Sequence, residues 1–298
     1  MSVSRQVFPV VLVLMLAGCA GRAGVEEFRI YSRSVDAVAV ASEPIVAQIR
    51  IAERHFERER IREGRMVLGK QDKNARTNGY VEEFYPEHAV FFTESIDPPY
   101  TAAMVYSLAT IVSYNRSLLL YADGAALAPL LAELGRVETE AGNALTAIGI
   151  ATAPALATAS PALTALREGA RLAIQAASRE AFRTELLARD EQVHALLDAL
   201  IASSRTTFEL LTRNNVKVLR RASGDARTQE LKKLELKRLM LSEWVIALER
   251  AKIMLNKAVV AASTDGDPVA VFAGAADTFA EIRASAARIR DLSAQGSF

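Results

Sequence analysis

The chain has 298 residues, of which 51% are apolar, 6% aromatic and 24% charged. Its 36 lysines and arginines nearly balance its 35 aspartates and glutamates, which disfavours a strongly basic nucleic-acid binder or an acidic tail. The length allows one large or two modest domains with a substantial core. Because many apolar residues are alanine and few are aromatic, the composition favours close packing of helices over a thick sheet sandwich.

The amino-terminal residues have the order of a bacterial leader peptide. Arg5 precedes an apolar run, Val7 to Met15, which ends in Leu16-Ala17-Gly18-Cys19. Pro9 and the glycines that follow make this run too short for a stable membrane-spanning helix, which needs about 20 apolar residues. Cys19 is the one cysteine of the chain, so it has no partner for an internal disulfide.

Leu16-Ala17-Gly18-Cys19 resembles the lipobox of bacterial lipoproteins, and the resemblance covers only the first nineteen residues. It implies that residues 1–18 are a signal peptide that is removed, and that the sulfur of Cys19 is diacylated. In such lipoproteins an aspartate after the cysteine favours the inner membrane. This chain has Ala20, so the resemblance implies an outer-membrane anchor facing the periplasm, or a cytoplasmic-membrane anchor if the cell has a single membrane.

Residues 19–25 would then form a lipidated tether before the folded domain, residues 26–298. Residues 20–25 reach no more than about 20 Å, at about 3.5 Å per residue. We therefore expect the folded domain to stay close to the bilayer.

Apolar residues at the start of the folded domain recur at alternating spacings of three and four, which is the period of one helix face. The first run consists of Phe28, Tyr31, Val35, Val38, Ser42, Ile45, Ile49, Ala52 and Phe56. It predicts the seam of a bundle on a helix about 43 Å long. Pro44 should kink this helix or mark the restart of a second one capped by Ser42.

Helix-boundary signals predict the next elements. Asp97-Pro98-Pro99 predicts a capped helix that runs to Tyr121, and Asp123-Gly124 predicts a tight turn into an antiparallel neighbour. The three-and-four spacing returns in Leu127, Leu130, Leu134, Val137, Ala141, Ala144 and Ile148, and again in Phe272, Ala275, Phe279, Ile282, Ala286 and Ile289. Residues 151–161, rich in alanine and proline, predict a linker at which the domain could divide into two parts.

A long helical pattern follows the linker and runs toward Arg221, with a break near Ser178 as an alternative. A further helix spans about Arg227 to Ala262, and the last one ends near Gln295. No comparable run alternates with period two. We therefore predict an all-α fold, an elongated antiparallel bundle of about six helices with coiled-coil-like packing.

The irregular region between residues 64 and 95 contains the densest group of aromatic residues: Tyr80, Phe84, Tyr85, Phe91 and Phe92. Long insertions between helices are often functional, and exposed apolar clusters often mark contact surfaces. The alternative is that these rings cap the open end of the bundle core. This region is the candidate interaction surface that the sequence offers.

Two charged stretches differ in balance. Glu53 to Arg60 alternates in sign at helix spacings, which predicts a solvated helix exterior. A second stretch is basic and flanks Ser223-Gly224; it comprises Lys217, Arg220, Arg221, Arg227, Lys232, Lys233, Lys237 and Arg238. This basic turn could contact anionic headgroups, lipopolysaccharide phosphates or an acidic partner, or it could be a solvated hairpin end.

Signals for metal binding and catalysis are weak. Glu191 and His194 have the Glu-x-x-His spacing of di-iron bundles but lack a second copy, and His55 lies one helical turn from Glu59. The sequence contains no nucleophile elbow, phosphate loop or dinucleotide fingerprint. Carboxylate pairs are expected by chance in so charged a helical chain; examples are Glu82 with Glu83 and Glu138 with Glu140. We expect no enzyme activity and no metal or other cofactor.

These patterns favour a non-catalytic structural or interaction protein of the cell envelope. It would be held at a membrane through Cys19 and would present its helices to a protein partner, not to nucleic acid. One alternative is a binding module that holds an apolar ligand, such as a lipid or tetrapyrrole, between its helices. The other is an envelope hydrolase with an unfamiliar site. Fold alone does not choose among them.

Overall fold

The computed structural model describes residues 24–63, 85–151, 153–172, 178–263 and 268–295, with side chains from residue 274 onward in the last range. Within these residues the chain forms eight α-helices, one 3-10 helix and no strand. The helices are α1 (Val25–Arg62), η1 (Pro86–Phe91), α2 (Pro99–Ala122), α3 (Leu127–Ile150), α4 (Pro154–Ala157), α5 (Ser160–Leu172), α6 (Arg179–Leu219), α7 (Gly224–Ser263) and α8 (Pro268–Gln295). The predicted all-α bundle is confirmed. The predicted leader and Cys19 lie outside the described residues.

The predicted seam of α1 is buried at every position from Phe28 to Ile49. The helix runs unbroken through Pro44, so the predicted restart capped by Ser42 is wrong. The Ser42 hydroxyl instead donates a hydrogen bond to the Val38 carbonyl oxygen, 2.7 Å away, which satisfies it inside the core.

Beyond Ile49 the buried face of α1 changes. Glu53, Arg54 and Glu57 are buried, whereas Ala52 and Phe56 are only partly so. The prediction of a solvated exterior is therefore wrong for these three residues. The first turn of α2 provides partners for Glu53, and the segment before α2 provides one for Arg54. His55 on the same stretch is exposed, as predicted.

The segment 151–161 contains one helical turn, α4, and two fully buried side chains, Leu156 and Ala159. Buried residues from both sides of this segment belong to one continuous core. The predicted break near Ser178 is confirmed, since its hydroxyl accepts a hydrogen bond from the Ala181 amide at 3.1 Å and caps α6. The extra turn and this break explain why the described residues form eight α-helices where about six were predicted.

Pairs of contacts fix the directions of the helices. Arg29 at the start of α1 binds Asp123 after α2, and Arg50 near the end of α1 binds Asp97 before α2, so these helices are antiparallel. Helix α7 is antiparallel to α1 as well, because Gly24 abuts Ala262 and Ser42 bonds Trp244. A short turn at Gly124 makes α3 the antiparallel neighbour of α2, as predicted.

The bundle therefore has two ends that can be named by glycines. The Gly24 end holds the start of α1, the end of α2 and the end of α7. The Gly224 end holds the end of α1, the start of α2 and the α6–α7 turn. Because α1 has 38 residues that rise 1.5 Å each, the two ends are about 57 Å apart.

Candidate functional site

Both surfaces that the sequence nominated lie at the Gly224 end. The described part of the aromatic region, residues 85–95, packs on the last third of α1 together with Ile96 and Asp97. The basic turn lies beside it, because Lys217 of α6 forms an ion pair with Glu59 of α1. We call this composite the far-end surface: residues 85–97, the last third of α1 and the α6–α7 turn.

Three arginines on one face of α1 hold the segment that leads into α2. The Arg50 guanidinium binds both carboxylate oxygens of Asp97, with Nη2 to Oδ2 at 3.1 Å. Arg54 Nη2 donates to the Ile96 carbonyl oxygen at 2.8 Å, and Arg58 Nε donates to the Phe91 carbonyl oxygen at 2.6 Å. The four-residue spacing places these three side chains on one face of α1. The charges that predicted a solvated face therefore hold the segment before α2 in position.

Glu53 caps α2 from a different helix. Its carboxylate accepts hydrogen bonds from the amides of Tyr100 and Thr101, both at 2.9 Å, and from the Thr101 hydroxyl at 2.8 Å. Burial raises the pKa of the Glu53 carboxyl, and these hydrogen bonds oppose the rise. The predicted Asp97 cap is wrong, because Arg50 binds Asp97 and Pro98 occupies the cap position without a side-chain bond.

The aromatic residues differ in burial. Tyr80 and Phe84 lie outside the described residues. Tyr85 is half-buried with its ring edge-on to His88, and Phe91 is 1% exposed and packs with Ile61. Phe92 is 52% exposed and lies under the Arg58 guanidinium, and Ile96 nearby is 58% exposed. Phe91 is thus buried in a small apolar cluster separate from the main core, whereas Phe92 and Ile96 present apolar surface.

The basic turn concentrates positive charge. Residues 213–238 contain nine lysines and arginines against three aspartates and glutamates, although the whole chain has a net charge of +1. The rest of the molecule is therefore net negative. Such a charge separation directs an anionic partner toward the Gly224 end.

A cleft of about 340 Å³ opens beside the turn, between α1, α6 and α7. Ile51, Ala52 and Phe56 of α1 form its apolar wall. Its cationic wall comes from α6 and α7 and includes Arg213, Lys217, Lys233 and Lys237. The cleft therefore combines exposed apolar surface with positive charge.

Lys237 is a buried strut of this cleft and not a surface cation. Its ammonium donates to the Leu211 carbonyl oxygen and to Asn215 Oδ1, both at 2.7 Å. Asn215 in turn donates to Glu230, which also accepts from Lys233 at 2.8 Å. Burial lowers the pKa of Lys237 to about 8. The sequence analysis grouped Lys237 with the exposed cations, because spacing along the chain does not show which face of α7 packs against α6.

A larger crevice, about 790 Å³, lies between α1 and α2. Half of its lining residues are alanine, valine or leucine, and it reaches inward to Trp244 and Leu200. The lining also contains five charged side chains: Glu43, Arg50, Arg116, Arg136 and Glu140. The Trp244 indole N–H at its inner end already donates to Ser42 Oγ at 2.8 Å. Glu140 Oε2, which also belongs to the lining, is buried without a hydrogen-bond partner among the described residues. Sequence reasoning missed this crevice, since it forms where small side chains such as Ala39 and Ala109 leave space between two helices.

The remaining candidates do not converge on one site. Glu138 binds Arg171 of α5, whereas Glu140 lines the α1–α2 crevice, so the structure does not bring this carboxylate pair together. The His194 ring lies against the Asp190 carbonyl oxygen of its own helix. His55 Nδ1 is 4.0 Å from a Glu59 carboxylate oxygen, as their spacing predicted. Glu59 also forms an ion pair with Lys217, and both His55 and Glu59 line the cleft. Glu82 and Glu83 lie outside the described residues.

In the described part of the chain, no group of three or more histidine, cysteine or carboxylate side chains is placed to hold a metal ion. None of the helices described is both long enough and apolar enough to cross a bilayer. Comparison with protein-family models, with curated proteins and with solved structures found no match.

Proposed function

We propose that the chain is a lipid-anchored envelope protein of the interaction type, with its anchor at one end of the bundle and its recognition surface at the other. The observation that supports this proposal is that the start of the folded domain and the far-end surface lie at opposite ends of the bundle. Gly24, five residues after Cys19, lies at one end. Phe92 and the basic turn lie at the opposite end, about 57 Å away.

The start of α1 is held firmly, which would make the tether short. Gly24 has a φ of +87°, and its amide donates to Glu27 Oε2 at 3.0 Å. A Cβ on Gly24 would lie 2.8 Å from Ala262 Cα, so the chain enters the bundle in close contact with α7. With lipid on Cys19, the rigid length of the bundle would carry the far-end surface away from the anchoring membrane. The lipobox resemblance and Ala20 favour the outer membrane and the periplasm as its location.

The test is photo-crosslinking in intact cells with a benzophenone amino acid at Phe92 or, as a matched control, at Leu127. Both side chains are about half exposed, but Leu127 lies at the Gly24 end. We expect an envelope protein to be captured from Phe92 and not from Leu127. Capture from Leu127 alone would contradict the proposed polarity. Processing and membrane attachment that persist in Cys19→Ser would contradict the anchor.

A second candidate is supported by the α1–α2 crevice. Its volume of about 790 Å³ is in the range of small-molecule sites, about 300–1,000 Å³. The Trp244 indole N–H and Ser42 hydroxyl at its inner end already have partners, which favours an apolar ligand group there. Trp244, the one tryptophan of the chain, reports on occupancy. A brominated fatty acid should quench its fluorescence. Ala109→Phe, which fills the crevice, should abolish quenching, whereas Ala128→Phe on the exposed start of α3 should not. Unsaturable quenching, or equal quenching in all three proteins, would reject this candidate.

A further inference from the structure

We propose that the cleft between α1, α6 and α7 binds an acidic segment of a partner protein, with a carboxylate at Arg213 and an apolar side chain on Ile51. This inference rests on the proposed interaction function and names the chemistry of the partner. It commits to a peptide and not to a lipid surface.

Arg213 is the cation of the cleft that is most available to a ligand. Lys217 and Lys233 each hold a carboxylate of this chain, Glu59 and Glu230. Among the described residues, no carboxylate lies within ion-pair distance of the Arg213 guanidinium, which stacks 3.8 Å from the centroid of the Phe56 ring. Stacking orients the planar guanidinium while its N–H edge can donate two parallel hydrogen bonds to a carboxylate.

The apolar wall distinguishes a peptide from small polar anions. Ile51 is 69% exposed although it lies beside the cationic wall, and Val218 on the facing helix is 42% exposed. A phosphate ion or a simple sugar acid has nothing to bury there, whereas an acidic peptide that carries leucine or valine has both groups. A flat layer of lipid headgroups cannot enter a concave cleft of about 340 Å³.

The back of the cleft is joined by hydrogen bonds within the chain itself. Lys237, Asn215 and Glu230 are joined by hydrogen bonds of 2.7 to 2.8 Å between α6 and α7. Because these groups already have partners, binding would not have to order them. Acidic residues of a partner would be attracted by the net positive charge of residues 213–238.

The experiment measures fluorescence anisotropy of a labelled peptide of alternating glutamate and leucine, titrated with the full chain in detergent. We expect saturable binding that weakens with salt. Arg213→Glu should weaken peptide binding at least about tenfold, because it removes one charge-assisted bidentate pair with the peptide carboxylate. Ile51→Ser should weaken it about threefold or more. Arg205→Glu is the matched control, since it reverses an exposed charge on the same helix outside this cleft and should leave binding unchanged.

Several results would overturn the inference. These are the absence of salt-sensitive binding, equal binding by Arg213→Glu, and equal binding of a lysine–leucine peptide. If the chain binds vesicles that contain anionic lipid but does not bind the acidic peptide, the positive charge of the cleft serves to contact a membrane surface instead. If peptide binding fails while Phe92 still crosslinks a partner, only this inference fails and the interaction function stands. Circular dichroism checks that both charge-reversal variants remain helical.

Discussion

Trp244 of α7 donates its indole N–H to Ser42 Oγ of α1 at 2.8 Å, inside the core. The Ser42 hydroxyl in turn donates a hydrogen bond to the Val38 carbonyl oxygen, so both the indole N–H and the hydroxyl have partners. Eighteen residues separate Ser42 from Gly24, and the same number separates Trp244 from Ala262, which abuts Gly24. The two contacts therefore fix a single antiparallel register between α1 and α7.

Ser42→Ala removes the acceptor and leaves the indole N–H buried without a partner. We expect the free energy of unfolding to fall by about 1–3 kcal/mol. Urea unfolding followed by Trp244 fluorescence measures it. Ser242→Ala makes the same chemical change at an exposed serine of α7 and should alter stability by less than about 0.5 kcal/mol. Equal effects of the two substitutions would show that the indole bond contributes nothing.

Gly24→Ala places a Cβ against the backbone of α7 at a left-handed position. With φ at +87° and a contact of 2.8 Å to Ala262 Cα, we expect a loss of about 2–4 kcal/mol. Gly124→Ala is the matched control, because its φ is also positive but a Cβ there meets nothing within 4 Å. It should cost only about 1–2 kcal/mol. Thermal unfolding compares the two variants, and equal losses would contradict the close approach of α1 and α7.

The sequence predicted the helices because their signal is local. The seam from Phe28 to Ile49 repeats with the period of one face, and Ser178 carries the residue type of a cap. The role of Glu53 could not be read in this way, since the amides that it accepts from belong to Tyr100 and Thr101, far along the chain. An alternating charge pattern has the same spacing whether it faces water or a loop.

Glu53→Ala tests the cap between helices. It leaves two buried amides at the start of α2 without an acceptor, so we expect the free energy of unfolding to fall by roughly 2–4 kcal/mol. Chemical unfolding measures the loss. Glu209→Ala, at an exposed carboxylate of α6, is the control and should stay near the wild-type value.

The pH dependence of the same group has a definite sign. Burial raises the pKa of the Glu53 carboxyl above its ordinary value of 4.5, so the folded chain binds this proton more tightly than the unfolded chain. Its contribution to stability therefore falls as pH rises from 4.5 through the raised pKa. In Glu53→Gln this dependence should vanish, and the stability of the wild type relative to the variant should increase toward acid pH. A difference that is constant with pH would contradict the raised pKa.

The candidate site was only partly predictable for a related reason. Phe91 and Phe92 are neighbours of the same residue type, yet one is 1% and the other 52% exposed. The conformation of the 3-10 helix determines that the Phe91 ring packs on Ile61. A prediction from composition identifies the group of aromatic residues but not which of them is buried. The cleft and the crevice arise between helices that are distant in sequence, so no local pattern marks them.

Lys237 provides a test of the far-end surface that uses alkaline pH. Its pKa is lowered to about 8 in the folded chain, whereas the unfolded chain keeps this proton up to about 10.5. Between these values the unfolded state binds more protons, so stability from this group rises with pH. We expect the wild type to gain stability between pH 7 and about 9.5, and Lys237→Met to lose that gain.

Two precautions make the measurement specific. Lys232→Met, at an exposed position of the same helix, should keep the alkaline gain and so serves as the matched control. Burial raises the pKa of Tyr100 from its ordinary value of 10.0 to about 12. Above pH 10 this tyrosine ionises in the unfolded chain first, which reduces stability, so the measurement stops below pH 10. A gain that persists in Lys237→Met would mean that another group titrates, and that Lys237 is not the buried strut joining α6 to α7 behind the cleft.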